Sequence, residues 1–271
     1  MRLVRCCLLV AFALSTRADV FFDVPIVTQV QGAAFYRTSL AISNVGPTSL
    51  LALNFIYRSP VDNTMQSPAA ALTLTTGTAF STDDIVQLMK TSSTMRAADK
   101  TVALFGSMLI ELTAVTDPSD VTIIARTYSP GPGGNGTMGI AYAGRPTSTT
   151  RAYTRLTTTV RNGAFGSDGN ARANIGFVNL ANAPIDLKVQ YVDAATGAIL
   201  KTFTLSTVIG HPLESREVVQ LGNIFADPAI SSVSRVIVVA FLIDQTVSFS
   251  GYAVQLDNTT NDGSFFPMTE R

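Results

Sequence analysis

The sequence predicts an all-β chain arranged as two tandem β-sandwiches, and three observations carry that prediction. The first is an internal duplication. Residues 35–57 (FYRTSLAISNVGPTSLLALNFIY) align with residues 170–191 (NARANIGFVNLANAPIDLKVQY), with Asn44 set against Asn179, 135 positions on. That register also matches Arg37 with Arg172 and Leu40 with Ile175. With one residue fewer in the turn, Leu51, Leu53, Phe55 and Tyr57 fall on Ile185, Leu187, Val189 and Tyr191. The offset then stays near 133, pairing Leu72 with Leu205, Gly77 with Gly210 and Gln87-Leu88 with Gln220-Leu221. A period this long duplicates a whole domain, since solenoid units run to about 20–50 residues.

The second observation is alternation. Leu51 to Tyr57 and Ile185 to Tyr191 place apolar and other side chains on opposite faces, as a half-buried strand does. In the second copy Asp186, Lys188 and Gln190 take the solvent face. The third is punctuation: Asn44 to Pro47, Asp117-Pro118, Asp168-Gly169, Asn182 to Pro184 and Asp257 to Gly263 separate the short runs. Many short strands with turn signals at this spacing make a sandwich.

In chain order, residues 1–18 read as a signal peptide. Arg2 and Arg5 supply the positive start, Cys6 to Leu14 the apolar stretch and Thr16-Arg17-Ala18 the small-x-small cleavage site. The stretch is too short to span a bilayer, which takes about 20 residues. A lipid-accepting cysteine should follow that stretch, whereas Cys6 and Cys7 open it. Residues 19–146 form the first sandwich and 147–271 the second. Both cysteines leave with the signal, so each domain must be held by its core alone, and about 125 residues suffice for that. Without Arg2, Arg5 and Arg17, the 19 basic residues become 16 against 19 acidic ones, a net charge of about −3. That balance is no footprint for nucleic acid or for an anionic membrane.

Within the domains, Val121 to Ala125 and Val247 to Gly251 read as another matched strand pair, and Val236 to Ile243 as a buried central strand. Thr82 to Met89 and Ser215 to Leu221 read as short capped helices with acids in the first turn. Asp227-Pro228-Ala229-Ile230 reads as a further cap with proline at the first helical position. These segments are the expected crossovers between sheets. Residues 144–150 form a polar linker too brief for much independent tumbling.

Four segments carry a family likeness: Pro25-Ile26-Val27, the strand from Gly32 through Asn44, Arg126-Thr127-Tyr128 and Gly136-Thr137-Met138-Gly139. With them the chain resembles tandem immunoglobulin-like repeats of exported Gram-negative bacterial proteins, a group without an assigned activity. The resemblance implies two immunoglobulin-like β-sandwich domains with short helical crossovers. The second copy departs from the pattern at its end, with Gly251-Tyr252-Ala253 and Gly263 to Pro267 in the closing positions. The motifs are structural and carry no function by themselves.

No catalytic, cofactor-binding or metal-binding residues are assigned. His211 is the only histidine, and between Gly210 and Pro212 it reads as a surface turn residue. A mature chain without cysteine has no thiol nucleophile or cysteine-based zinc site. A glycosidase would need two carboxylates at a fixed separation, but Asp83-Asp84 and Glu214/Glu217 are explained by capping. Asp257 to Gly263 alternates oxygen side chains as cation loops do, yet its glycine comes one position late and no carboxylate closes it, so a hairpin turn is expected. Asp117 to Asp120 is likewise a turn. Ser129 to Gly136 lacks the Lys-Ser/Thr of a phosphate loop and reads as a hairpin connection. Asn135 to Thr137 and Asn258 to Thr260 match the glycosylation pattern, and the resemblance to bacterial proteins implies that they stay unmodified. Tyr57 and Tyr191 are expected in core or rim. Arg37 and Arg172 are expected in a strand-edge ion pair or on backbone carbonyls.

The expectation is therefore a non-catalytic module, exported to the periplasm, cell surface or exterior. It would be structural, adhesive or protein-binding, and would act through end loops or strand edges on another protein or a surface component. A carbohydrate-binding module is the alternative, weakened by the absence of tryptophan, and a secreted hydrolase or enzyme inhibitor is a more distant one. Exposed aromatics on one sheet face would favour sugar binding, an open edge strand would favour β-augmentation, and convergent acids in a deep pocket would favour an enzyme.

Overall fold

The computed structural model describes residues 19–31, 35–47, 53–70, 72–113, 115, 117–131, 134, 136–147, 155–163, 171–242, 247–257 and 263–270. The expected signal peptide, Leu51, Asp168-Gly169, Asn135 and Asn258 to Asp262 lie outside them, as does the side chain of Leu53. The described chain is predominantly antiparallel sheet with short helices.

The first half runs β1 (Val20–Gln31), β2 (Phe35–Asn44), β3 (Leu53–Arg58), β4 (Met65–Gln66), β5 (Ala69–Ala70), β6 (Thr78–Thr82), α1 (Ile85–Thr91), α2 (Ala97–Lys100), β7 (Leu104–Leu112), β8 (Val121–Pro130), β9 (Thr137–Ala143) and β10 (Arg145–Thr147). The second runs β11 (Arg155–Arg161), β12 (Ala171–Asn179), β13 (Lys188–Asp193), β14 (Ile199–Thr204), α3 (Leu205–Ile209), β15 (Val218–Leu221), β16 (Arg235–Phe241), β17 (Phe249–Asp257), β18 (Gly263–Pro267) and β19 (Thr269–Glu270).

The strand order is the same in both halves. In the second, one sheet reads β14-β13-β16-β11-β19 and the other β15-β12-β17-β18. In the first, β3-β7-β1 continues to β10 on one side and carries β4 and β5 on the other, while β6-β2-β8-β9 repeats the second sheet. The difference is β1, which shifts register between Val24 and Val27 and then pairs β2, joining both sheets. Such a bulge bends a strand enough to change sheets. Among the described residues the first half has ten strands, β1 to β10, and the second nine, β11 to β19.

The alternation holds: Phe55, Ile185, Leu187 and Val189 are buried. Asp186, Lys188 and Gln190 are half-buried, not fully exposed. The cause is β14 and α3, whose Ser206 amide and hydroxyl donate to the Asp186 carboxylate and whose Thr202 accepts from Gln190. β16 lies between β13 and β11 with Val236, Val238 and Ala240 fully buried, as its apolar run requires.

The matched asparagines play equal parts. Asn44 Nδ2 donates to the Leu74 carbonyl at 3.0 Å, and Asn179 Nδ2 to that of Leu213 at 2.9 Å. Each Oδ1 accepts an amide two residues on, from Gly46 at 3.0 Å and Ala181 at 2.8 Å.

Beyond that point the register of 133 fails. Gln87 lies in α1, whereas Gln220 lies in β15 opposite Gly176. By pairing, Gln220 answers to Ser81, which faces Ala41. Ser215 to Leu221 thus enters a strand and is not a helix; the helix is α3, closed by Gly210 at φ 88°. Leu72 lies outside helices and strands while Leu205 opens α3, so that pairing fails as well. Val121 answers to Phe249 and not Val247, since these face Asn44 and Asn179. Asp227 caps a turn, with the Ala229 amide on its Oδ1 at 3.0 Å, rather than a helix. Residues 145–147, expected in the linker, are β10 and pair with Phe21 to Asp23.

Candidate functional site: the seam between the halves

The two halves share a core. β12 and β17 pair throughout, and alternation sends Ile175, Phe177, Phe249 and Ala253 into the second half's own core. Val178, Tyr252 and Val254 face the other way and join the cluster built on Val24, Ile26, Ile110 and Tyr142 of the first half. A sheet covered on both faces loses the polar outer face that a free domain would need, which explains why β17 is buried along most of its length.

Aromatic rings cross this seam. Phe265 of β18 lies 5.1 Å from Tyr142 of β9 and 5.4 Å from Tyr252, centroid to centroid. The Tyr142 hydroxyl donates to the Ile26 carbonyl and accepts from the Thr127 hydroxyl at 2.8 Å. Burial raises the hydroxyls of Tyr142 and Tyr252 above the ordinary tyrosine range, so both stay protonated. Backbone clamps reinforce the contact: Arg58 donates to the Ser215 carbonyl at 2.7 Å, Ser107 to that of Arg216 at 3.2 Å, and Arg145 to that of Met268 at 3.1 Å.

Asp23 of β1 is the one carboxylate among the described residues that is buried in the seam's interior. It is 2% exposed, and Oδ2 accepts from Ser250 Oγ at 2.8 Å. Oδ1 is buried and accepts no hydrogen bond from the described residues. Burial pushes its carboxyl up to about 6, against smaller opposing effects of the Ser250 bond and the charges of Arg145 and Arg216. Beside it is a cavity of about 380 Å³ walled by Leu156, Leu180, Phe249 and Met268.

A second concavity, of about 280 Å³, opens between β1 and β9 on one side and β12 and β17 on the other. Ile26, Val30, Tyr36, Phe105, Ile140 and Leu256 give it apolar walls, with Arg172, Asn174 and Gln220 as polar groups. Phe105 is 49% exposed at its rim.

The residues singled out in the sequence do not converge on one another. His211 is exposed, with Nδ1 at 2.7 Å from the Pro212 carbonyl oxygen and Nε2 at 3.6 Å from Glu217. Asp84 caps α1 through the Gln87 amide at 2.9 Å, as expected, and also accepts from Gln29. Glu217 accepts the Glu214 amide at 2.7 Å, and Glu214 faces Arg58 at 3.9 Å, so these two acids hold a loop and not a helix. Asp117 caps the turn Pro118–Asp120 through the Ser119 amide. The glycine-rich loop joins β8 to β9 as a hairpin, with the Gly131 amide on the Gly136 carbonyl at 3.0 Å. Arg37 sits over the Tyr128 ring at 4.9 Å, a cation–π contact rather than the expected ion pair or bond to backbone carbonyls.

Sequence reasoning passed over two buried acids. Asp23 is a lone acid inside Val20-Phe21-Phe22-Asp23-Val24, and an unexplained charge in an apolar strand was its signal. Asp99 of α2 is fully buried and accepts from Tyr57 at 2.7 Å, Ser59 at 2.6 Å and Arg96 at 3.0 Å. Nothing in its local sequence distinguishes it from a solvated helix acid.

Among the described residues no group of three or more His, Cys, Asp or Glu side chains is placed to hold a metal ion, and no helix is long and apolar enough to cross a membrane. No family model, curated protein or solved structure matches this chain.

Proposed function

We propose that the mature chain is a non-catalytic, exported binding module of two immunoglobulin-like sandwiches, and that it engages another protein or surface component at the open groove between its halves. The observation that carries this reading is the groove under Phe105. It is concave, walled by apolar side chains from both halves, and rimmed by a half-exposed aromatic ring. A large apolar side chain left half in water is what a docking surface presents. The equal strand order of the halves supports the tandem-sandwich reading, and the apolar stretch with its basic start supports export.

Carbohydrate is the second reading, favoured by Tyr36 and Phe105 standing near Asn174, Gln220 and Arg172 in one groove. Rings that stack on sugar faces beside amide donors would serve that purpose.

Fractionation of producing cells, followed by crosslinking of the exported chain, tests the proposal. Phe105→Glu should abolish capture of the crosslinked partner, while His211→Ala leaves it intact. Soluble glycans that compete for capture would select the carbohydrate reading. Retention in the cytoplasm, or hydrolysis of a peptide or polysaccharide that His211→Ala abolishes, would overturn the proposal.

A further inference from the structure

We propose that Asp23 makes the docking of the second half onto the first proton-dependent, tighter in mild acid and looser above neutrality. This concerns the interior of the seam and does not depend on what the outer groove binds.

The geometry is that of a carboxylate shut between two packed bodies. β1 brings Asp23 from the first half, and β17 brings Ser250 from the second. Ser250 Oγ satisfies Oδ2 at 2.8 Å, while the buried Oδ1 accepts no hydrogen bond from the described residues. When Asp23 is ionised, a charge is left half-satisfied in an apolar wall, which is costly; when it is neutral, most of that cost disappears.

The surrounding charges do not cancel it by contact. On β10, Arg145 faces Asp23 through space but spends Nη1 on the Met268 carbonyl. From the segment before β15, Arg216 acts through space too, with Nη2 at 3.3 Å from Asn182 Oδ1. The neighbouring strand β7 sets uncharged Leu109 opposite, and β17 donates the Ser250 hydroxyl. Tyr142 of β9 and Tyr252 of β17 feel the Asp23 charge and stay neutral themselves. Glu270 of β19 lines the same cavity and adds negative charge.

The sign follows from linkage. The docked state holds the Asp23 carboxyl up at about 6, whereas an undocked Asp23 returns toward the ordinary aspartate value of 3.8. Docking is therefore favoured most below the lower value and loses strength as pH rises through the upper one. Between pH 5 and pH 8 those two values weaken docking about tenfold.

The test is thiol labelling of Val254→Cys in the chain from residue 19, which carries no other cysteine. Val254 is 2% exposed and faces the first half, so its label reports undocking. Val208→Cys, at a position 54% exposed, supplies the reference rate at each pH. The relative labelling rate should rise about tenfold from pH 5 to pH 8, and Asp23→Asn in the same background should remove that dependence. A carbon-13 titration of the Asp23 carboxyl in the unsubstituted chain serves if that variant does not fold, with a midpoint near 6 expected. A flat relative rate, or a midpoint in the ordinary range for a solvated aspartate, overturns the proposal.

Discussion

The ring of Tyr252 fills the space that a β-carbon on Gly176 would need. The two residues are directly paired across β12 and β17, and a carbon added to Gly176 would lie 2.0 Å from the tyrosine Cζ. The ring lies across the glycine and reaches Gln220 of β15 with its hydroxyl, at 3.2 Å. Gly176 is thus glycine because of packing. An aromatic laid over a strand glycine recovers the apolar cover that the missing side chain would have given.

Gly176→Ala should therefore destabilise the chain by about 1–3 kcal/mol, the usual cost of overpacking. The comparison is with Gly222→Ala, where the added carbon meets nothing nearer than 3.9 Å. Urea unfolding of both variants checks this. Equal midpoints for the two would show that the ring can move aside without loss.

The paired asparagines give a test of the duplication itself. Asn179 ties the end of β12 to the Leu213 and Ala183 carbonyls and to the Ala181 amide, while Asn44 ties β2 to the Leu74 carbonyl and the Gly46 amide. Both side chains are buried, so removing either leaves backbone groups without partners. Asn44→Ala and Asn179→Ala should each cost about 1–3 kcal/mol, whereas Asn182→Ala, in an exposed turn, should cost much less. Thermal unfolding of the three variants decides it.

Leu187→Ala should cost on the order of 2–5 kcal/mol, as a fully buried leucine does. Lys188→Ala, one position on and half-buried, should fall within about 0.5 kcal/mol. A one-residue difference in position should thus produce a several-fold difference in denaturation free energy, because successive strand residues face opposite ways.

These residues also show what the sequence disclosed and what it hid. Alternation placed Ile185, Leu187 and Val189 in the core because the side-chain period of a strand is a local property. The asparagine match worked partly for the same reason: each Oδ1 accepts the amide two residues on, within its own turn, while each Nδ2 reaches a carbonyl on a distant segment. The register past residue 72 misled because α3 and the segment to Leu213 change the spacing between strands, and matching Gln87 to Gln220 ignored the pairing partner across the sheet. Asp23 and the groove under Phe105 arise from packing of one half on the other. β17 carries two apolar faces, yet nothing in its run of residues says which body covers the second.

Asp99 makes stability depend on acid. Its burial alone would push the carboxyl up, but hydrogen bonds from Ser59, Tyr57 and Arg96, with the Arg96 charge, outweigh that and hold it below the usual aspartate range. A folded-state value below the unfolded one means stability present above the unfolded value and lost as pH falls through the folded value. The wild-type chain should thus keep this contribution at pH 5–8 and shed it below about pH 4. Asp99→Asn keeps the shape but gives up the charge facing Arg96, whose Nη1 also bonds Asp62. Breaking a buried pair in this way costs about 3–5 kcal/mol when the remaining charge stays buried; Arg96 is partly exposed, so the loss should fall short of that range. The loss should be visible at pH 7 and should shrink as pH falls below about 4, as the wild-type carboxyl moves toward its lowered folded-state value. Urea midpoints for both proteins across that range check it. A wild-type and variant difference that stays constant from pH 7 to pH 3 would show that Asp99 contributes packing and not charge.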